Sequence, residues 1–198
     1  GFPDGEKIPS NLFLDCVRRI VAGVEVPLTV DFEGGFAADP ARLADHAQYL
    51  AETGAIGCNF EDQEIGGTGL HPIAHQAARV AAVAGSGLFV NARTDVFLKP
   101  YIEGRDANDR SLLGEALERA AAYAEAGAGC FFAPGLSEPE LIAEVCERSP
   151  LPVNILMLKG VPEWRELARA GVARVSWGGG PWRLAMQALT EQASALYA

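Results

Sequence analysis

Acidic side chains follow two short apolar segments that have the composition of β-strands. Asp31 and Glu33 follow the first of these segments, and Glu61 ends the next. Residues two apart point to the same face of an extended backbone, so Asp31 and Glu33 should lie side by side. Carboxylate oxygens are the ligands that Mg²⁺ and Mn²⁺ prefer. The three carboxylates therefore predict a metal site, with Mg²⁺ as the expected ion and Mn²⁺ as an alternative.

Other residues near the ends of such segments are expected to bind a substrate. Arg93 ends a third apolar segment, and its planar guanidinium is suited to two-point hydrogen bonding of a carboxylate or phosphonate. Gly34 and Gly35 follow the first segment and allow the backbone to approach a ligand closely. Asn154, within a later segment, would add an amide contact. These four residues are the predicted substrate-binding set.

Two further aspartates lie close to this set in the sequence. Asp62 follows Glu61 and should point to the opposite face of the strand, and Asp95 lies two residues after Arg93. Acidic residues at strand ends often serve the next turn rather than a ligand. We therefore expect helix capping or salt bridges from Asp62 and Asp95.

Six apolar, strand-like segments alternate with helix-like segments along the whole chain. Strands are predicted at residues 27–31, 56–61, 88–93, 130–133, 152–157 and 173–177. Helices are predicted at residues 11–23, 40–53, 72–84, 111–126, 138–148, 162–170 and 181–198. Strands that are apolar throughout are typical of a parallel sheet covered on both faces. The pattern predicts an α/β fold, either an open doubly wound sheet or a (β/α)8 barrel.

The barrel is the favoured alternative of the two. The first strand is not followed by the GxGxxG motif of dinucleotide-binding sheets, and the candidate site residues fall at the carboxyl ends of successive strands. A closed TIM-type barrel has eight strands, whereas this sequence provides six. We expect a single domain over residues 1–198, a barrel that lacks two N-terminal βα units.

Composition limits the classes of partner. The formal net charge of −10 argues against binding to nucleic acid, and no apolar run is long enough to predict a membrane span. The first residues do not resemble a signal peptide, and the four cysteines lack the spacing of a zinc site. We expect a cytoplasmic protein with buried, reduced thiols. Trp164, Trp177 and Trp182 are expected to be core or barrel-packing residues.

The order of three motifs resembles the isocitrate lyase and phosphoenolpyruvate mutase superfamily. The motifs are DFEGGF from residue 31, GCNFEDQ from residue 57 and VNARTDVFL from residue 90. The opening GFPDGE resembles the segment in which this superfamily carries a substrate-site aspartate. The resemblance implies catalytic roles for Asp4 and Arg93. It also implies that Asp31 is the main metal ligand, with Glu33 and Glu61 around the ion largely through water.

The resemblance also implies an assembly and a reaction. Members of the superfamily form (β/α)8 barrels that bind Mg²⁺, and they are usually tetramers that exchange their last helix, which corresponds here to residues 182–198. We expect a homo-oligomer, a dimer or a tetramer, with a small carboxylate as substrate. The expected reaction is Mg²⁺-dependent cleavage of a C–C bond in a 2-oxo or 2-hydroxy carboxylate through an enolate-type intermediate, by decarboxylation or a retro-aldol step.

Departures from the superfamily pattern leave other functions open. The lyases carry a Lys-Lys/Arg-Cys-Gly-His loop, whereas residues 63–72 contain neither lysine nor cysteine. The strand at 130–133 is also followed by no histidine of the kind found in the mutases. The alternatives are a P–C bond hydrolase or mutase of the phosphonopyruvate type and a catalytically degenerate ligand-binding barrel. An aldolase-type barrel would instead use Lys159 to form a Schiff base.

Overall fold

The computed structural model describes residues 1–197 and shows helices and strands in regular alternation. The strands are β1 Thr29–Asp31, β2 Gly57–Glu61, β3 Phe89–Arg93, β4 Cys130–Phe132, β5 Val153–Leu156 and β6 Arg174–Ser176. The helices are α1 Ser10–Gly23, α2 Pro40–Ala51, α3 Ile73–Ala84, α4 Leu98–Ile102, α5 Leu113–Glu125, α6 Pro139–Arg148, α7 Trp164–Arg169 and α8 Gly180–Tyr197. A 3-10 turn at Arg110–Leu112 precedes α5. The six predicted strands and seven predicted helices are confirmed, with ends shifted by a few residues.

All six strands are parallel and lie in chain order from β1 to β6. The sheet is curved strongly enough to bring its two edge strands together. Arg174 Nη2 on β6 donates a hydrogen bond to Thr29 Oγ1 on β1 at 3.2 Å. The two edge strands of the sheet are thereby linked across its concave face. The architecture is a half-barrel, which confirms the predicted α/β class and its relation to the TIM barrel.

Helix α2 shows how the sequence forms the outer layer. Asp39 caps the helix, since its side chain accepts a hydrogen bond from the Arg42 N–H at 3.1 Å. Leu43, Ala47 and Leu50 recur at a helical spacing and are fully buried against the sheet. Helix α5 buries a mainly apolar stripe, and α3 buries Val80 and Val83 together with Gln76 and Arg79, so the sheet is covered on its convex face.

Helix α4 was not predicted from the sequence. It contains five residues, Leu98–Ile102, and includes a proline, so it is too short to show a helical period. It begins directly after the loop that follows β3 and borders the mouth of the half-barrel through Leu98 and Ile102.

The C-terminal helix is an exposed element. None of the residues of α8 is buried, and Trp182, Leu184 and Leu189 are each more than 60% exposed. The three tryptophans were expected to pack in the core or the barrel, but none is buried, since Trp164 and Trp177 are also exposed. Exchange of residues 182–198 between subunits remains a prediction, and residue 198 lies outside the described residues. Within residues 1–197, no helix is long and apolar enough to cross a membrane.

Candidate active site

A buried polar network fixes the loops that follow β2 and β3. Asp62 has no exposed surface, and its Oδ2 accepts hydrogen bonds from Arg119 Nη1 at 3.0 Å and Tyr123 Oη at 2.8 Å. Its Oδ1 accepts from the backbone N–H of Asp95 at 3.0 Å. Asp62 thus joins helix α5 to the end of β3 on the convex side of the sheet. Its predicted salt-bridge role is confirmed.

Arg93, at the end of β3, is held by two carboxylates. Nε and Nη2 donate to the two oxygens of Asp95 at 2.6 and 2.9 Å, and Nη1 lies 2.7 Å from Glu61 Oε2. Burial alone would lower the pKa of Arg93, but these partners raise it above its usual value. The predicted salt bridge of Asp95 is confirmed. Three of the five N–H donors of a guanidinium are engaged, which leaves two for a ligand.

The N-terminal loop is attached to the mouth by Glu33. The backbone N–H groups of Gly5 and Glu6 donate to Glu33 Oε2 at 2.7 and 2.6 Å. In return, Glu6 Oε1 accepts from the Phe36 N–H at 2.6 Å. Glu6, Glu33 and Phe36 all have left-handed backbone angles, with φ of 58°, 47° and 59°. This concentration of strained non-glycine residues, which places Asp4 at the mouth, is typical of a functional site.

The carboxylates that the sequence singled out line one cavity at the carboxyl ends of β1–β3. The cavity has a volume of about 390 Å³, and its charged lining residues are Asp4, Asp31, Glu33, Glu61 and Arg93. We call this cavity the acidic half of the mouth. Residues Ile65 and Gly66 of the loop after β2 also border it. The structure thus brings together the five residues predicted to be catalytic or to surround a metal.

Burial and crowding raise the pKa values of two of these carboxyls. Desolvation raises the pKa of Glu61 to about 7, and nearby Asp95, Asp31 and Glu33 add to the rise against the opposing charge of Arg93. Desolvation likewise raises the pKa of Asp31, although the residue itself opens to solvent. A divalent cation would relieve this crowding of hard oxygen donors, so the donor set fits Mg²⁺.

The lining carboxylates do not by themselves form a closed cage. Within residues 1–197, no three His, Cys, Asp or Glu side chains are placed to hold a metal ion together. Mg²⁺ usually keeps several water molecules and takes only one or two protein carboxylates directly. The arrangement fits an ion held largely through water and not a cage made only of protein ligands.

A second cavity, about 320 Å³ in volume, lies on the inner side of the same mouth. Asp31 and Arg93 border both cavities, and Asn59, Arg174, Ser176 and Trp177 are among the other lining residues of the second. We call it the cationic half of the mouth, since it contains two guanidinium groups and one carboxylate. The mouth therefore offers adjoining sites for a cation and for an anion.

Sequence reasoning missed Arg174 and Trp177 as residues of the mouth. Arg174 begins the last strand, and Trp177 lies in the turn after it. Arg174 is two residues before Ser176, so the two side chains point to the same inner face of the sheet. That periodicity was the available signal. Trp177 was expected to pack in the core or the barrel, as large aromatic side chains usually do, but it is 55% exposed at the rim.

The two glycines predicted to bind substrate have different surroundings. Gly35 has φ of 80°, and a Cβ atom there would lie 2.2 Å from Leu43 Cδ1, so this position serves the turn after β1. Gly34 is buried, and its carbonyl accepts a hydrogen bond from Arg79 Nη2 at 2.6 Å. Neither glycine is among the residues that line the acidic or the cationic half of the mouth. Their contact with a substrate remains a prediction.

Asn154 and Lys159 also lie apart from the acidic half. Asn154 is fully buried on β5, and its Nδ2 donates to Ser176 Oγ at 2.9 Å. Ser176 borders the cationic half, so Asn154 lies one side chain behind the mouth. Lys159 is exposed on the loop after β5. An exposed lysine lacks the burial that makes an amine nucleophilic near neutral pH, which removes the support for a Schiff base.

Consecutive parallel strands with charged side chains at their carboxyl ends define a protein of the (β/α)-barrel class. The family described as phosphoenolpyruvate phosphomutase matches residues 1–197, and the chain belongs to this family, within the phosphoenolpyruvate mutase and isocitrate lyase superfamily. The resemblance seen in the sequence is thereby confirmed.

Among relatives, an uncharacterized protein of Mycobacterium tuberculosis is 30% identical over 199 residues, which cover 99% of this chain and 71% of the relative. Oxaloacetate decarboxylase of Rhodopseudomonas palustris is 28% identical, over 99% of this chain and 68% of the enzyme. These relatives extend over nearly the whole chain but differ in how much is known of them.

Two crystal structures show the same fold. A "putative phosphonomutase" of Burkholderia cenocepacia J2315 superposes with a TM-score of 0.90 and 40% identity, over 96% of this chain and 77% of that one. Phosphonopyruvate hydrolase in complex with oxalate and Mg²⁺ gives a TM-score of 0.81 at 22% identity, over 98% and 69%. At that identity the second structure supports the fold alone.

Proposed function

We propose that this protein is a Mg²⁺-dependent lyase that cleaves a C–C bond of a small 2-oxo or 2-hydroxy carboxylate, so that the electrons of the broken bond form an enolate. The observation that carries the proposal is the shared border of the two halves of the mouth. Asp31 and Arg93 line both cavities, so a cation and a carboxylate would be held side by side. A chelating acid needs this arrangement.

The proposed roles follow from the contacts of each side chain. Asp31, which opens to solvent in the mouth, is the proposed direct ligand of Mg²⁺. Glu33 and Glu61 would hold its water molecules, while Glu33 also keeps the Asp4 loop in place. Arg93, oriented by Asp95, would bind the substrate carboxylate with its two remaining N–H groups. Bound Mg²⁺ would supply Lewis-acid stabilisation of the charge that develops when the bond breaks.

Decarboxylation is the version of this reaction that demands least of the loop at 63–72. That loop lacks the lysine and cysteine of the superfamily lyases, so it offers no thiol for proton transfer. Stabilisation of the developing enolate charge at the mouth is sufficient for loss of the carboxylate carried by the carbon next to the 2-oxo carbon, and the enolate that remains takes a proton from water. The relative that is an oxaloacetate decarboxylase, similar over almost the entire chain, supports this choice.

Cleavage of a P–C bond is the second candidate. The 40% identity to a "putative phosphonomutase" favours it, and two arginines in the cationic half would suit a phosphonate. Release of inorganic phosphate from phosphonopyruvate would show it directly. We expect slower release of phosphate than of CO₂ from oxaloacetate, and the reverse order would reassign the protein to the phosphonate enzymes.

Exchange of the pyruvate methyl protons with D₂O tests whether the site performs chemistry or only binds. With Mg²⁺ present, the lyase proposal expects the methyl signal of pyruvate to decay in the proton NMR spectrum. Asp31→Asn should abolish the exchange, whereas Asp45→Asn, an exposed aspartate on α2, should leave it unchanged. Binding of pyruvate without any exchange would indicate a degenerate, ligand-binding barrel.

A further inference from the structure

Arg174 lies in the same row of inward-facing residues as Arg93. In the parallel register, Arg93 is opposite Phe132, Phe132 is opposite Asn154, and Asn154 is opposite Arg174. Side chains in one row of a parallel sheet point to the same face. Arg174 and Arg93 accordingly border the same cavity from strands β6 and β3.

The two guanidinium groups differ in how their charges are compensated. Arg93 is paired with both Asp95 and Glu61. Arg174 is half-buried, its Nη2 contacts the neutral hydroxyl of Thr29 at 3.2 Å, and it has no ion pair within the described chain, residues 1–197. A partly buried cation that lacks an acidic partner and borders a cavity favours an anionic ligand.

The shape of the cationic half limits the ligand to a small one. Its volume of about 320 Å³ lies at the small end of ligand sites, and its lining combines the two arginines with Asn59, Ser176 and Trp177. A two-carbon diacid at the border with the acidic half would leave the Arg174 side of this space empty. An acid with a second anionic group further along its chain would fill it.

We propose that Arg174 is the specificity-determining residue that binds the second anionic group of a dianionic substrate whose first carboxylate is bound by Arg93. This inference rests on the proposed function, because it assumes that Arg93 and the acidic half hold the 2-oxo or 2-hydroxy acid end. The second group is a carboxylate or a phosphonate, since a guanidinium forms two-point hydrogen bonds with either.

Arg174 also has a structural contact that must be separated from this role. Its hydrogen bond to Thr29 links the two edge strands, so loss of the side chain could open the half-barrel. Thr29→Val removes that bond and keeps the charge. Arg174→Gln removes the charge and keeps a hydrogen-bonding side chain, and Arg174→Lys keeps the charge without the two-point geometry.

The test is calorimetric titration of malate and of oxalate in the presence of Mg²⁺. Malate is a 2-hydroxy acid with a second carboxylate, and oxalate is the short reference that needs only the acidic half and Arg93. For Arg174→Gln we expect malate binding to weaken by about tenfold or more and oxalate binding by less than about twofold. Arg174→Lys should give an intermediate loss for malate, and Thr29→Val should leave both affinities within about twofold.

Other outcomes of the titration would overturn the inference or the proposed function. Equal weakening of malate and oxalate in Arg174→Gln, or an effect of Thr29→Val as large as that of Arg174→Gln, would overturn the inference in favour of a structural role. Oxalate binding by the unsubstituted protein without malate binding would also overturn it. Failure of oxalate to bind with Mg²⁺, while malate binding still depends on Arg174, would contradict the proposed function and leave the anion site standing.

Discussion

Asp95 holds the Arg93 guanidinium by a two-point ion pair, with Nε–Oδ1 at 2.6 Å and Nη2–Oδ2 at 2.9 Å. The pair spans a single intervening residue, and Asp95 is 1% exposed. Two of the five N–H groups of Arg93 are therefore taken by Asp95, and a substrate carboxylate can bind only to those that Asp95 and Glu61 leave free. Arg93 is fixed in orientation before any ligand arrives, which reduces the entropy cost of binding.

Asp95→Asn should weaken both the fold and the site. Loss of this buried partner leaves Arg93 with Glu61 alone, so we expect the free energy of unfolding to fall by about 3 kcal/mol. Oxalate affinity should fall by about tenfold because the guanidinium is no longer held in place. Urea denaturation and calorimetry measure the two effects. Asp45→Asn on α2 is the exposed control, and equal behaviour of the two variants would contradict the positioning role.

Gly35→Ala should destabilise the turn after β1. Its φ of 80° is unfavourable for alanine, and the added methyl group would lie 2.2 Å from Leu43 Cδ1, in the core. We expect a loss of about 2 kcal/mol or more in the free energy of unfolding. Gly114→Ala is a matched control in α5, where a Cβ atom meets nothing within 4 Å. That variant should gain about 0.5 kcal/mol, and a loss of equal size in both would contradict this explanation.

Much of the fold could be predicted from the sequence because its signals are local. The apolar segments, the prolines at helix starts and the glycines after helices give the order of the elements, and each of the six strands was placed correctly. The carboxylates at strand ends followed from the rule that the carboxyl ends of parallel strands meet at one edge. Asp62 and Asp95 were expected to cap helices or form salt bridges, because acidic residues at strand ends often serve the next turn.

What the sequence could not show depends on contacts between distant elements. The bond between Arg174 and Thr29 joins residues 145 positions apart, and it depends on the curvature of the whole sheet. The hydrogen bonds from the Gly5 and Glu6 N–H groups to Glu33 depend on left-handed backbone angles at Glu6 and Glu33, and such angles are not expected for a glutamate. The exposure of Trp182 likewise follows from the placement of α8 and not from its composition.

The stability of the protein should depend on pH through His71. Desolvation, aided by the charges of Arg79 and His75, lowers the pKa of His71 from its usual 6.5. The folded state therefore disfavours protonation. The contribution of His71 to the stability of the folded state is complete above pH 6.5, and it is lost as the pH falls from there through the lowered pKa.

His71→Gln should remove this part of the pH dependence. Urea denaturation at about pH 7.5 and about pH 5.5 gives the change in the free energy of unfolding for each protein, and the decline on acidification should be smaller in the variant. The difference between the two declines isolates His71 from other groups that titrate over the same range. An equal or steeper decline in His71→Gln would show that His71 does not contribute to the loss of stability at low pH.

Titration of oxalate into the protein, with Mg²⁺ and then with excess EDTA, tests the central claim most directly. Oxalate offers the paired oxygens that a chelated 2-oxo acid would present to the mouth. We expect binding that requires Mg²⁺, is lost in Asp31→Ala, is weakened in Arg93→Lys and is unchanged in Asp45→Ala. Absence of binding with Mg²⁺, or binding that persists in EDTA and in Asp31→Ala, would contradict a metal-dependent carboxylate site.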